Sequence, residues 1–411
     1  MDVFVPARIL LPRAVQMEKW AVIACDQFTS QPEYWERVER AVGDAPSALR
    51  LILPEAELAG PYERRIPAIH AAMRRYLDEG LFDVYEEAFV YVERSLTDGS
   101  VRRGLVGAVD LEQYDYRDDV SAAVRATERT VVERIPPRKK VRDGAPLELP
   151  HVLLLCDDAQ KQIVEPLTAA RESLPLLYDF SLMEGGGRIR GRLVQGEACR
   201  ELRRRLASYE SGVRQGAVGG AAPMLYAVGD GNHSLATAKA CWEDLKVRLS
   251  AQERETHPAR FALVELENLE DDCQQIEPIH RIVRHVGAAA LLTAIREGIC
   301  APGGHTVTWC SGGESGTLTL DPARGQLPVG ILQAFLDEYL PAYGGEIDYI
   351  HDDAALRALA QEKDAVGFLL PAIEKKLLFR GIAADGVLPR KTFSMGHAVE
   401  KRYYLEAREI L

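Results

Sequence analysis

Residues 224–246 read MLYAVGDGNHSLATAKACWEDLK and predict a strand, a tight loop and a helix in succession. The apolar run over residues 224–228 has the length of a buried strand and stops at a Gly-Asp-Gly sequence. An amphipathic pattern begins directly afterwards at Asn232. Its apolar positions recur at helical spacing and are Leu235, Ala238, Trp242 and Leu245. We expect one face of this helix to pack on the core and the loop to lie at its N-terminal end.

The loop, residues 229–234, has the composition of an anion-binding site. Gly229 and Gly231 allow positive φ angles and leave room for a ligand to approach the backbone. The first N–H groups of a helix have no partner inside the helix, and the helix dipole is positive at this end. A phosphate group is therefore the ligand that we expect over the loop.

The side chains of the loop leave two interpretations open. In the first, Asn232 or Ser234 caps the helix, and His233 donates to a phosphate or moves a proton near neutral pH. Asp230 then needs a cation or a substrate hydroxyl between its carboxylate and the anion. In the second, the loop is an ordinary turn in which Asp230 and Asn232 bond to backbone groups and His233 lies on the surface.

Length and composition set the class of protein. With 411 residues, the chain exceeds the size of a single hydrophobic core. We expect two domains, residues 1–250 with the loop and residues 251–411, whose tail can return to the site. The formal net charge of −12 argues against general nucleic-acid binding, because such binding needs a basic surface.

Other features of the sequence concern compartment and partners. The seven cysteines are scattered without metal-ligand spacing, which predicts buried thiols in a reducing compartment and no metal site. No apolar run approaches the roughly 20 residues that cross a bilayer. We therefore expect a cytoplasmic protein with a small-molecule ligand and no membrane partner, for which a homodimer is compatible with the sequence.

Residues 118–142, DDVSAAVRATERTVVERIPPRKKVR, form the second stretch with chemically active side chains. Its apolar spacing predicts a helix that begins at Ser121 and ends at Pro136, with Val124, Thr127 and Val131 facing the core. Arg125, Glu128 and Arg129 would then share a neighbouring face of that helix. Further cations follow the prolines at Arg138, Lys139, Lys140 and Arg142.

This concentration of charge also has two interpretations. The arginines can bind phosphate or carboxylate while Glu128 accepts a proton from a substrate hydroxyl or amine. Alternatively, the stretch is a solvated helix face whose i,i+4 ion pairs stabilise the helix by about 0.3–0.5 kcal/mol each. Asp26, between a predicted strand and helix, is similarly either a ligand-facing side chain or a turn aspartate.

The rest of the chain predicts a mixture of hairpins and alternating helices and strands. One hairpin turns at Asp98-Gly99, and a second turns at a triple glycine, residues 185–187. Residues 286–380 alternate between helical and strand patterns. The fold class that we predict is α+β (mixed α/β).

Three stretches together resemble a widespread domain-of-unknown-function family. They are RATERTVVERIPPR (125–138), VGDGNHSLATAK (228–239) and VLPRKTFSMGHAVEKRYY (387–404). The middle motif of that family more often reads D-G-H-H-R. The motif is also similar to that of the ParB/sulfiredoxin-like group, which includes free serine kinase. The resemblance implies a ParB/sulfiredoxin-like core with antiparallel hairpins, a C-terminal α/β part, and a nucleotide site at residues 229–234.

This chain departs from the commoner motif at Asn232 and Ser234, where the family more often has histidine and arginine. If the arginine of the commoner motif holds phosphate, Arg125, Arg129 or Arg138 must supply the positive charge here. Lys391, in the basic tail, is added to this phosphate-binding set.

The expected function is therefore nucleotide or phosphometabolite binding, most concretely phosphate transfer to a hydroxylated metabolite such as an amino acid. ADP or ATP with Mg²⁺ would be the cofactor. Asp230 would orient a metal or the acceptor, His233 would contact phosphate, and Glu128 would be the base. The alternative is a non-catalytic nucleotide-binding regulator. A third hypothesis places the function near His280 or Lys391 instead.

Overall fold

The computed structural model describes residues 2–58, 60–117, 121–130, 135–216 and 222–411. Its helices are α1 (Met17–Trp20), α2 (Pro32–Val42), α3 (Ile66–Asp78), α4 (Ile135–Arg142), α5 (Glu165–Ala170), α6 (Gly196–Gly216), α7 (Asn232–Lys246), α8 (Ala251–Thr256), α9 (Ala288–Ile299), α10 (Pro328–Tyr343), α11 (Asp353–Leu359) and α12 (Lys375–Asp385).

The strands are β1 (Phe4–Val5), β2 (Ala7–Pro12), β3 (Val22–Ile23), β4 (Phe82–Ser95), β5 (Val101–Asp110), β6 (Tyr114–Asp115), β7 (Val124–Ala126), β8 (Leu147–Glu148), β9 (Leu153–Cys156), β10 (Leu176–Ser181), β11 (Arg188–Val194), β12 (Tyr226–Asp230), β13 (Phe261–Asn268), β14 (Ile276–Pro278), β15 (His280–Arg284), β16 (Cys300–Ser311), β17 (Glu314–Leu320), β18 (Glu346–Ile350), β19 (Ala365–Leu369), β20 (Phe393–Met395), β21 (Tyr403–Tyr404) and β22 (Arg408–Glu409).

The chain divides into two compact units. Unit 1 contains residues 1–126, 130–274 and 397–411, and unit 2 contains residues 127–129 and 275–396. The first division after residue 130 falls at Gln274 and not at the predicted 250, because β13 pairs with β5 and β9 in the main sheet of unit 1. The last segment, residues 397–411, returns to unit 1.

The main sheet of unit 1 runs in the order β10-β11-β4-β5-β13-β9-β12-β7-β6. Both predicted hairpins are present, since β4 pairs antiparallel with β5 and β10 pairs antiparallel with β11. Alternate residues of β5 pack in different apolar clusters, Val106 and Ala108 in one and Leu105 and Val109 in the other. Apolar residues therefore cover both faces of the sheet, as the period of two in a strand requires.

The predicted strand, loop and helix at residues 224–246 are confirmed as β12 and α7. Tyr226 and Val228 are fully buried because β12 lies inside the sheet, parallel to β7 and antiparallel to β9. Leu235 and Trp242 place the core face of α7 in the same apolar cluster. The Trp242 indole N–H also donates to Glu112 Oε1 at 2.6 Å.

The predicted helix from Ser121 to Pro136 is wrong over the described residues 121–130. Residues 124–126 form β7, which pairs with β12 and β6. The next helix, α4, begins only at Ile135. The strand forms because its hydrogen-bond partner β12 lies about a hundred residues further along the chain, a contact that local periodicity does not report. Val131, part of the predicted core face, lies outside the described residues.

Unit 2 has a sheet in the order β17-β16-β19-β15-β18, with antiparallel neighbours throughout these pairs. The helices α9, α10, α11 and α12 alternate with these strands along the chain. The alternation predicted for residues 286–380 is therefore confirmed. Together with the mixed sheet of unit 1, it confirms the predicted α+β (mixed α/β) class.

Buried charges hold residues 397–411 in unit 1. Arg94, 2% exposed, donates to the carbonyls of Glu400 at 2.9 Å and of Val399 at 2.7 Å. Arg402 pairs with Glu265 and, at 2.6 Å, with Glu406. Buried charged groups need such partners, because an unpaired charge away from water is very costly. This network fixes the position of Lys401, between Glu400 and Arg402.

Candidate functional site

The β12–α7 junction gives the loop its shape. Gly231 is the N-cap residue of α7 and has a φ angle of 80°. A Cβ atom at Gly231 would lie 3.0 Å from Val152 Cα, so glycine is required by both backbone and space. The N–H groups of Ser234 and Leu235 donate to the Gly231 carbonyl at 3.0 and 3.1 Å. Val228 is the last buried residue of β12, and Gly229 is half-buried. Asn232 and His233 belong to the half-buried first turn of α7.

Asp230 is paired with a lysine from the last segment of the chain. Its Oδ1 accepts the Gly231 N–H at 2.9 Å, and its Oδ2 lies 3.2 Å from Lys401 Nζ. The Lys401 side chain is 11% exposed and the Asp230 side chain 22%. Lys401 is therefore a partly desolvated cation beside the N-terminus of α7, where an anion is favoured.

Ser234 begins a chain of hydrogen bonds that sequence reasoning did not predict. Its Oγ lies 2.6 Å from His151 Nε2, and His151 Nδ1 lies 2.8 Å from Tyr404 Oη. Tyr404 Oη also accepts the Cys25 N–H at 3.2 Å. Burial lowers the pKa of His151, although the charges of Asp26 and Asp230 act in the opposite direction.

Asp26 lies in the same part of unit 1, on the loop after β3. Burial acts to raise its pKa, but His151, the Gln27 amide and Lys401 together lower it. The Gln27 Nε2 donates to Asp26 Oδ1 at 3.1 Å. Asp26 and Asp230 therefore both interact electrostatically with Lys401 and His151. Asp26 thus belongs to the same group of charged side chains as Asp230.

A cavity of about 150 Å³ adjoins this group. Ser234, His151, Tyr404 and Cys25 line one part of it. Arg138, from α4, also lines the cavity and forms an ion pair with Glu55. The structure therefore brings two of the predicted phosphate-binding residues, Ser234 and Arg138, to one cavity in unit 1.

Arg125 makes different contacts. Its guanidinium donates to the carbonyls of Ala122 at 3.0 Å and Ala222 at 2.8 Å. Burial lowers its pKa. These bonds hold the ends of two neighbouring segments, and a role for Arg125 in phosphate binding stays a prediction.

Glu128, Arg129 and Lys391 belong to unit 2. The Glu128 carboxylate accepts the N–H groups of Lys391 at 3.1 Å and Thr392 at 2.9 Å. Arg129 N donates to the Leu388 carbonyl at 2.9 Å. Burial raises the pKa of Glu128, while the backbone N–H groups that it accepts act to lower it. The predicted roles of these residues as base and phosphate ligands stay predictions.

His280, the centre of the third hypothesis, is also bound within unit 2. Its Nε2 lies 2.5 Å from Asp353 Oδ1, and its Nδ1 accepts the Leu370 N–H at 3.1 Å. Both ring nitrogens of His280 are therefore used in joining secondary-structure elements.

The sequence indicated some residues of the candidate site in unit 1 more clearly than others. Lys401 and Tyr404 lie in the third quoted stretch, residues 387–404, so their motif was recognised but not their contacts. His151 is 83 residues from Ser234 along the chain and carries no local signal.

Residues 6–378 match the family described as Protein of unknown function (DUF1015). The chain belongs to this family. No curated protein matches its sequence.

Several solved structures share a general likeness with this DUF1015 chain. SbnI with C-terminal truncation from Staphylococcus aureus has a TM-score of 0.37 at 10% identity, covering 71% of this chain and 82% of that one. Free serine kinase in complex with AMP has a TM-score of 0.39 at 12% identity, covering 72% and 90%. A conserved hypothetical protein from Pyrococcus furiosus has a TM-score of 0.33 at 11% identity, covering 72% and 90%. At these scores the likeness carries no argument about the site.

The described residues contain neither a metal-binding cluster nor a membrane-spanning helix. Over these residues, no group of three or more His, Cys, Asp and Glu side chains has the arrangement to hold a metal ion. In the same part of the chain, no helix combines the length and apolar character needed to cross a bilayer.

Proposed function

We propose that residues 229–234 bind a phosphate group of a nucleotide or of a phosphorylated small molecule. The observation that carries the proposal is Lys401, whose Nζ is held 3.2 Å from Asp230 Oδ2 beside the N-terminus of α7. The helix has 15 residues and opens with a left-handed glycine, so its first turn presents a positive end without a covering side chain at the N-cap.

If the arginine of the commoner family motif holds phosphate, Lys401 supplies the corresponding positive charge in this proposal. Lysine binds phosphate as a point charge, and low exposure strengthens that attraction. Asn232, His233 and Ser234 supply polar groups from the first turn. Arg138, which pairs with Glu55 in the adjoining cavity, remains a candidate predicted from the sequence. Arg125, Arg129 and Lys391 remain further candidates for phosphate contacts.

The reaction that we propose is phosphate transfer from ADP or ATP to the hydroxyl of a small metabolite. The hydroxyl oxygen would form a bond to the terminal phosphorus while the bond from phosphorus to the nucleotide oxygen breaks. Mg²⁺ would enter with the nucleotide phosphates, as is usual for this ion, and Asp230 would be the nearby carboxylate. The hydroxyl proton must pass to a general base, and the assignment of Glu128 to this role stays a prediction from the sequence.

A regulator that binds a nucleotide without transferring phosphate is the second candidate function. The observation that favours it is that Glu128 and Arg125 are engaged by backbone groups, as expected of side chains that support structure. Such a regulator needs Lys401 and the N-terminus of α7 but not a base.

Calorimetric titration with ADP, ATP, AMP and inorganic phosphate, with and without Mg²⁺, tests the binding proposal. We expect Lys401→Met to weaken binding of the preferred ligand at least tenfold, because it removes the cation and leaves Asp230 close to the anion. Lys376→Met is the matched control, since Lys376 is exposed and pairs with Glu374 in unit 2. Unchanged affinity in Lys401→Met, or no binding to the wild type, contradicts the proposal.

Turnover separates the two candidate functions. Incubation of the wild type with the bound nucleotide and a panel of hydroxylated metabolites, followed by phosphorus NMR, reveals any new phosphate ester. Binding together with ester formation supports the phosphotransferase. Binding with no ester for any tested acceptor supports the regulator.

A further inference from the structure

The cavity beside Ser234 is mostly apolar. Leu51, Leu53, Met73, Leu147, Leu235 and Leu263 are among the buried side chains that line it. Its volume of about 150 Å³ equals that of an engineered apolar cavity that stays dry and binds benzene. A molecule with an apolar body of about six or seven non-hydrogen atoms therefore fits it.

The charged groups around the cavity are paired with one another. Glu55 pairs with Arg138, and Glu148 pairs with Arg142 at 2.5 Å and with Arg408 at 2.8 Å. The pKa of Glu148 is lowered because these two guanidinium groups outweigh the effect of burial. Because these charged side chains are paired with one another, the surface of the cavity that remains for a ligand is mainly apolar. A ligand that brought its own net charge would lose its hydration without gaining an unpaired counter-charge, which is unfavourable.

Hydroxyl and imidazole groups form the polar part of the lining. Tyr404 is buried, and its hydroxyl can hydrogen-bond to the Cys25 thiol and to His151 Nδ1, of which the ring nitrogen is the stronger acceptor. We therefore assign the Tyr404 O–H as donor to His151 Nδ1, which places the ring proton on His151 Nε2. In this assignment that N–H donates to Ser234 Oγ, 2.6 Å away, which leaves the Ser234 O–H able to donate to another acceptor.

We infer that this cavity binds an uncharged alcohol, with its apolar body among the leucines and its hydroxyl oxygen accepting the Ser234 O–H. Ser234 belongs both to the loop at residues 229–234 and to the cavity wall, so the hydroxyl lies next to the proposed phosphate site. The inference that this alcohol accepts the phosphate rests on the proposed function. The inference that it binds in the cavity rests only on the side chains that line the cavity. This class differs from the amino acid expected from the sequence.

The test uses the full chain without nucleotide, so that its outcome does not depend on whether a nucleotide binds. Proton–nitrogen NMR titrations with benzyl alcohol, cyclohexanol, benzylamine, benzoate and L-serine give the dissociation constants. We expect shifts in the amides of Ser234 and Leu235, and at least tenfold tighter binding of the neutral alcohols than of the charged ligands. Equal or tighter binding of the charged ligands, or no binding of the alcohols, overturns the inference.

Two variants locate the ligand. Ala238→Leu places extra atoms in the cavity and should weaken benzyl alcohol binding at least tenfold, because Ala238 lines it and is 3% exposed. Ala289→Leu, at an exposed position of α9, is the matched control and should bind the alcohol as the wild type does. If overpacking prevents Ala238→Leu from folding, Leu263→Ala replaces it.

Leu263→Ala enlarges the cavity and should shift the preference toward a longer alcohol, such as 2-phenylethanol over benzyl alcohol, by at least threefold. An unchanged preference in a folded Leu263→Ala variant overturns the inference. A wild type that binds alcohol but no nucleotide leaves the cavity assignment standing and contradicts only the phosphate proposal. The converse result contradicts only the cavity assignment.

Discussion

His151 links the loop at residues 229–234 to the last segment of the chain through both of its ring nitrogens. Ser234 contacts Nε2 and Tyr404 contacts Nδ1. Because the ring is buried, protonation is disfavoured and the pKa of His151 falls below its ordinary value of 6.5. If Tyr404 donates its O–H to Nδ1, that bond requires a neutral imidazole, because a second ring proton would occupy Nδ1.

The titration of His151 predicts a stability change in mild acid. Below pH 6.5 the unfolded chain binds a proton at His151 that the folded chain does not. As the pH is lowered further, the free energy of unfolding therefore decreases by at most about 1.4 kcal/mol per pH unit, until the pH reaches the folded-state pKa of His151. Urea unfolding of wild type and His151→Asn between pH 8 and 5 should show the wild type losing stability relative to the variant below pH 6.5. Parallel profiles would show that His151 is not buried as a neutral group.

Gly231 provides a second prediction at the residue scale. Gly231→Ala forces a Cβ into a left-handed conformation at 3.0 Å from Val152 Cα, so unfolding should become easier by about 1–2 kcal/mol or more. Gly212→Ala is the matched control, because Gly212 lies in α6 with no atom near the added Cβ. We expect the control to raise stability by about 0.5–1 kcal/mol. Equal effects of the two substitutions in thermal unfolding would contradict the strained geometry of the loop.

At the scale of secondary-structure elements, the sequence identified those whose patterns are local. The two hairpins and the β12–α7 pair were predicted because turn residues and apolar spacing determine them within a few residues. The prediction was wrong for residues 121–130. Arg125, Glu128 and Arg129 have helical spacing, but Val124 lies in a strand paired with β12. Strand pairing with a distant partner overrides weak local preference.

The loop after α12 depends on Glu128. Its carboxylate accepts the N–H groups of Lys391 and Thr392, so Glu128→Ala leaves these donors without that acceptor. Thr392 is buried, and an unsatisfied buried donor costs about 1–3 kcal/mol, so we expect hydrogen exchange at the Thr392 N–H to become about tenfold faster or more. Glu338→Ala, an exposed position of α10, is the control and should leave this exchange unchanged. Unchanged protection in Glu128→Ala would contradict a supporting role for this carboxylate.

At the scale of the whole molecule, the candidate site combines residues from at least four distant parts of the sequence, which contain Asp26, His151, Asp230 and Lys401. Ser234 and Asp230 were recognisable from their motif, whereas His151 and Lys401 reach them only through the fold of unit 1. Lys401 arrives on residues 397–411, which the buried arginines and the pairing of β21 with β3 hold in place. Sequence reasoning could name the tail motif but not the aspartate that it contacts.

Because unit 1 includes residues 397–411, we predict that a chain ending at residue 396 does not fold unit 1. The truncation removes buried Tyr403, Tyr404 and Leu405, each contributing about 1.5–3 kcal/mol, and leaves Arg94 without the carbonyls of Val399 and Glu400. Such losses are comparable with the whole stability of a typical domain, about 5–15 kcal/mol.

The aromatic circular dichroism signal and protease resistance of unit 1 measure this outcome. Deletion of Leu411 alone is the matched control, because this residue is 64% exposed and should be dispensable. Addition of a peptide of residues 397–411 to the truncated chain should restore part of the signal, since the peptide supplies Leu405 O to the Trp20 indole N–H, a bond of 2.8 Å in the intact chain. If the truncated chain still unfolded cooperatively, unit 1 would be shown to fold without residues 397–411. In that case the position of Lys401 would be set by the ion pair with Asp230 and not by the buried arginines.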